Sequence, residues 1–87
     1  MADEVLKKKV YDVLRDGYFN ARDDLVDVSS GYDDFIHVVI VSRKFDGKYA
    51  DEKEELIWSQ FMKLLSPEEW GRITLSIGVS PEEIKAA

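Results

Sequence analysis

The chain has 87 residues, of which 45% are hydrophobic, and its eighteen acidic residues outweigh its twelve basic ones to leave a formal charge of −6. A chain this short supports one small core, burying only about 60% of its unfolded surface, and its negative field repels phosphate backbones on average. The absence of Cys excludes disulfides, thiolate nucleophiles and Cys-ligated zinc or iron-sulfur centres made by this chain alone, while the start, Met-Ala-Asp-Glu, and the lack of any apolar run near 18 residues predict neither a signal peptide nor a membrane span and point to the cytoplasm.

Asp3 is the expected N-cap of a first helix, in which Leu6, Val10, Val13 and Leu14 recur at helical spacing while Lys7, Lys8, Asp12, Arg15 and Asp16 take the other side. That helix ends near Gly17. After the polar connector Asn20 to Asp24, Leu25 to Val28 reads as a short strand, Ser29 to Asp34 as a turn, and Phe35 to Ser42 as an apolar strand. A six-residue connection is too short for a parallel crossover, so the two strands are expected to form an antiparallel hairpin. Arg43 to Lys48 is a turn. A second amphipathic helix starts at Tyr49 to Asp51 and reaches Leu65, with Leu56, Ile57, Phe61, Leu64 and Leu65 on its buried side and Asp51, Glu52, Glu55 and Lys63 facing water.

Ser66-Pro67-Glu68-Glu69 combines an N-cap, a Pro at the first helical position and a Glu at the third, which is a capping box opening a short helix that holds Trp70. Ile73, Leu75, Ile77 and Val79 alternate with Thr74, Ser76 and Gly78, predicting a strand whose apolar set is buried and whose small set is exposed. Ser80-Pro81-Glu82-Glu83 repeats the helix-start signature. The expectation is a single α+β domain, 1–87, in the order helix-strand-strand-helix-helix-strand-helix. A right-handed crossover makes the third strand parallel to the second, giving a three-stranded mixed sheet with helices on one face.

This order, together with Val41-Ser42-Arg43-Lys44-Phe45-Asp46-Gly47-Lys48 at the strand-to-helix turn, resembles the BolA family, whose fold is related to the type II KH domain. The likeness covers nearly the whole chain, with Ser80-Pro81-Glu82-Glu83 similar to the family's closing segment. A physical reason supports the turn: Gly47 can take a positive φ angle, and Phe45 can fold back as an anchor beneath the helix. Members of the family carry a His flanked by basic residues early in the crossover helix, a ligand when they share an iron-sulfur cluster with a monothiol glutaredoxin. That position is Glu54 here, within Lys53-Glu54-Glu55. Glu is a hard oxygen donor, so the resemblance does not carry the cluster-sharing role over.

Other chemistry is thinly represented. His37, the sole His, alternates with Ile36 and Val38 and should point to the open sheet face with Phe35, Val39 and Val41, with Asp27 opposite it across the hairpin. That pair reads as a cross-strand polar contact first, and as a pH-sensitive contact or lone metal ligand second. Asp23, Asp24, Asp27, Asp33 and Asp34 match no EF-hand spacing and read as solvated turn residues. Glu52, Glu54 and Glu55 complement a helix N-terminus. No Gly-x-Ser-x-Gly elbow or Walker loop is present, and Phe45-Asp46-Gly47-Lys48 has one Gly where the KH clamp needs two.

The reading is therefore a non-enzymatic domain acting through protein contacts, with a protein partner or a second copy of itself, no cofactor, and no small-molecule substrate. Candidate contact residues are Arg43, Lys44, Phe45, Gly47, Lys48 and Glu54, with Phe35, Val39 and Val41 on the open face; the competing view is that the final helix from Pro81 covers that face. One alternative is a nucleic-acid-binding regulator using Lys7, Lys8, Lys9, Lys44 and Lys48, disfavoured by net charge. Another is a glutaredoxin-linked redox role in which Glu54 or His37 replaces the missing ligand.

Overall fold

The computed structural model describes residues 4–86, and their order is α1 (Glu4–Arg15), β1 (Leu25–Ser30), β2 (Ile36–Val41), α2 (Ala50–Leu64), α3 (Pro67–Trp70), β3 (Ile73–Val79) and α4 (Pro81–Ala86). Single 3-10 turns lie at Tyr32–Asp34 and Arg43–Phe45. The expected Asp3 cap lies outside the described residues. Val10 and Leu14 are fully buried and Leu6 and Val13 pack beside them, so α1 lays its predicted stripe on the sheet.

Strand β1 runs two residues further than its apolar pattern suggests, because Ser29 and Ser30 pair with His37 and Ile36. The hairpin connection shrinks accordingly, closed by the Gly31 N–H donating to the Phe35 carbonyl at 2.7 Å. Within it Asp33 and Asp34 take φ of 51° and 65°, a left-handed region that Asp enters more readily than bulkier residues. The sheet order is β1-β2-β3, antiparallel between the first pair and parallel between the second. Both relations are those expected.

Val26, Ile36, Val38, Ile40 and Ile73 supply the sheet's half of the core; Phe19, Phe45, Ile57, Phe61 and Leu65, with Val10 and Leu14 of α1, supply the rest. The Phe19 and Phe45 rings lie 5.5 Å apart, and Trp58 meets Phe61 and Trp70 edge-on at 5.1 and 5.9 Å. Each wholly buried Phe contributes about 2–3 kcal/mol relative to exposure, which suits a chain that has no covalent staple.

Two expectations about faces are corrected. On α2, Leu64 is 40% exposed while Lys53 is buried. The inward row is Lys53, Ile57, Phe61 and Leu65 at strict four-residue steps, and Leu64 falls on its rim. On β3, Ile36 pairs with Ile73 but His37 pairs with Leu75, so Thr74 is an extra residue in a bulge. Past the bulge the alternation inverts. Ser76 and Gly78 pair with the inward residues Val38 and Ile40, whereas Leu75, Ile77 and Val79 turn to the open face.

The small residues thus have a packing reason. The Trp58 indole Nε1 donates to Ser76 Oγ at 3.0 Å, and a Cβ on Gly78 would sit 2.9 Å from the Phe45 ring. Both α3 and α4 begin with the predicted reciprocal caps. Ser66 N–H donates to Glu69 at 2.8 Å and Ser80 N–H to Glu83 at 2.9 Å, while each Ser hydroxyl accepts from the Glu amide.

Candidate functional site

Alternation in β1 and β2, and inversion in β3, place three rows of side chains on the face opposite the helices. The rows are Leu25, Val41, Val79; then Asp27, Val39, Ile77; then Ser29, His37, Leu75. Leu25 is 54% exposed, and Leu75 and Ile77 are 40% exposed. Apolar residues fill the β3 side and one end, and a polar corner of Asp27, Ser29 and His37 occupies the rest. Phe35 adjoins the hairpin end.

The face is therefore larger and more apolar than Phe35, Val39 and Val41 alone would make it. Thr74, Ser76 and Gly78, expected beside those residues, are not its outward set. Nor is Asp27 opposite His37: the register sets Asp27 against Val39 and His37 against Ser29. The imidazole instead lies over Gly31, where an added Cβ would come within 2.5 Å of Nε2. Among the described residues no group of three potential metal ligands is brought together.

Helix α4 does not cover this face. Glu83 is ion-paired to Lys53 of α2, which ties α4 to the helical layer. Those bonds, from Lys53 first and then from the Ser80 backbone, hold the Glu83 carboxyl below the usual carboxylate range. A shallow cleft of about 350 Å³ between α2 and β3 is lined by Lys53, Glu54, Ser76 and Glu83 among others. Exposed Glu54 sits there on α2, in the helical layer, and the cleft reaches Ile77 and Val79 of the open-face set along the β3 edge.

The turn between β2 and α2 is built from the inside outward. Phe45 is wholly buried against Phe19 and Gly78, so its side chain offers a partner no surface. This corrects its place among the contact residues while supporting its anchoring role. Gly47 takes φ +72°, the conformation its sequence position suggested. Arg43 remains exposed in an ion pair with Asp23 at 3.0 Å, and Glu52 caps α2 by accepting from the Tyr49 N–H at 2.8 Å.

Lys44 belongs to a network that the sequence reading missed. Asp24, buried before β1, accepts from the buried Ser42 hydroxyl at 2.6 Å, from Lys44 Nζ at 2.7 Å and from the Ala21 N–H at 3.1 Å. The Ser42 oxygen in turn accepts from the Lys44 N–H, and Lys44 Nζ lies 5.5 Å from the Tyr18 ring centroid. Burial works to raise the Asp24 pKa, but the bonds from Lys44, Ser42 and Ala21 outweigh it and the net shift is downward. Arg15 holds the same connector by donating to the carbonyls of Phe19, Ala21 and Asp24.

The lysines offered for nucleic acid are mostly committed elsewhere. Lys7 pairs with Glu4, Lys8 with Asp12, Lys9 with Glu69 and Lys44 with Asp24. Lys48 alone of the five makes no ion pair among the described residues. No helix among those residues is long and apolar enough to cross a membrane.

No protein-family profile matches the chain, and no curated protein does. Among solved structures it is similar to a Bol-like protein from Babesia bovis, with a TM-score of 0.64 and 24% identity over 99% of this chain and 96% of that one. The fold is BolA-like along its whole length.

Proposed function

We propose that the chain is a small non-enzymatic adaptor of the cytoplasm that works through protein contacts, with the uncovered sheet face as its principal surface and the Arg43 to Lys48 turn as a second. One observation carries this reading: Leu25, Val39, Val41, Leu75, Ile77 and Val79 share a face that no element among the described residues covers. The largest apolar patch on a monomeric protein, about 300–600 Å² in extent, is often a functional surface. Pairing of Lys7, Lys8, Lys9 and Lys44 to carboxylates tells against phosphate binding, and exposed Glu54 belongs to the helical layer, across the β3 edge from the open face.

Capture from native lysate tests the reading when the wild-type chain is compared with Ile77→Asp and Glu54→Ala. The expected result is a retained protein that disappears with Ile77→Asp and persists with Glu54→Ala. Nuclease-sensitive capture would favour nucleic acid. A glutaredoxin that is lost with Glu54→Ala would favour the redox-linked role.

A further inference from the structure

Resting on the protein-contact reading, we infer that the open face receives a single amphipathic helix with a basic flank, laid along β2 and β3. The first argument is size. Three strands about 4.8 Å apart, each rising about 3.3 Å per residue, present roughly 15 × 20 Å. A helix about 10 Å across and some 13 residues long matches that footprint.

A second copy of the chain fits it less well. Flat sheet-on-sheet contact would cover roughly 300 Å² per copy where a standard interface takes about 800 Å². Each copy also brings a charge of −6 to the encounter.

The second argument is pattern. Leu75, Ile77 and Val79 along β3, with Val39 and Val41 beside them, form a band that follows the strands, and Asp27 stands at its β1 side. A helix seated on the band presents its flank to exposed Asp27 and to the negative field of the whole domain. Lys or Arg on that flank is the complementary chemistry. The third argument is architecture: α1 and α2 already cover one side of the sheet, and one helix on the other completes a three-layer sandwich, using the helix-in-groove mode of recognition.

The test uses an 18-residue Leu/Lys peptide of helical period, a scrambled peptide of the same composition, and a Leu/Glu peptide of the same period. Amide chemical shifts of the full chain follow each titration. The Leu/Lys helix is expected to bind with Kd in the micromolar range, shifting amides of β2 and β3 and those around Asp27 in β1 while leaving α1 and α2 unmoved. Ile77→Asp is expected to weaken it at least about tenfold despite adding negative charge, and Leu75→Asp should do the same, with the dispersed spectrum of each variant reporting that it folds.

Equal binding of the scrambled peptide, or shifts confined to α1 and α2, would overturn the proposal. So would a defined dimer in sedimentation at pH 7 and low salt that Ile77→Asp dissociates, because the occupant would then be a second copy. Failure of the peptide while lysate capture still depends on Ile77 would sink the helix and leave the adaptor reading standing.

Discussion

At Gly47 and Gly78 the same substitution, to Ala, meets two different obstacles. Nothing lies within 4 Å of a Cβ on Gly47, but its φ of +72° costs an L-residue about 1–2 kcal/mol, so Gly47→Asn should recover part of what Gly47→Ala loses. Gly78 has no such backbone demand. Its Cβ would meet three Phe45 ring atoms at 2.9 to 3.1 Å, an overpacking of about 1–3 kcal/mol. Combining Gly78→Ala with Phe45→Leu should therefore cost less than the sum of the two in denaturant melts, and strict additivity would remove the contact from the account.

Asp24 makes the residue-scale case for what local pattern hides. Its partners Ser42 and Lys44 lie 18 and 20 residues away, so nothing near Asp24 in the chain separates it from the solvated aspartates around it. A folded-state pKa below the ordinary 3.8 means that its contribution is complete above that value and is lost as pH falls through the lower, folded one. Asp24→Ala should cost about 2–3 kcal/mol at neutral pH, under the range for a sealed pair because Lys44 keeps a water-facing flank. The gap between variant and wild type should narrow once pH is below 3.8. An undiminished gap in urea melts at such pH would show that the carboxylate charge is not what stabilises.

At the scale of elements, legibility followed periodicity and stopped where periodicity broke. Ile36, Val38 and Ile40 alternate without interruption, and their strand, its face and its antiparallel partner could all be read from that. The capping boxes at Ser66 and Ser80 were legible because each is complete within four residues. In β3 the alternation was real but the bulge at Thr74 inverted it, and no residue near Thr74 marks the spot. One signal was available: Ser76 and Gly78 are small because Trp58 and Phe45 press on them. Deleting Thr74 should remove the extra residue while keeping Ser76 under Trp58, so the indole fluorescence should hold and stability should change by only about 1 kcal/mol. A red-shifted, exposed Trp58 would mean that the strand had turned inside out and that the bulge does not set the open face.

For the molecule as a whole, charge and the open face act against each other. The order of elements and the mixed sheet could be foreseen from hydrophobic pattern and crossover handedness, but the extent of the uncovered face depended on the bulge and on α4 binding Lys53 instead of folding back. A charge of −6 keeps copies apart at neutral pH, and the repulsion vanishes near the isoelectric point of about 4.7. Association through Val39, Val41, Leu75 and Ile77 should then become visible as rising light scattering when pH is lowered from 7 toward that value, with added salt producing part of the same effect at pH 7. The double variant Val39→Ser, Ile77→Ser leaves the net charge and the helix-facing core untouched, so it should scatter less at the isoelectric pH while melting near the wild-type temperature. Equal scattering from both proteins would place the adhesive surface elsewhere and withdraw the sheet face as the site of contact.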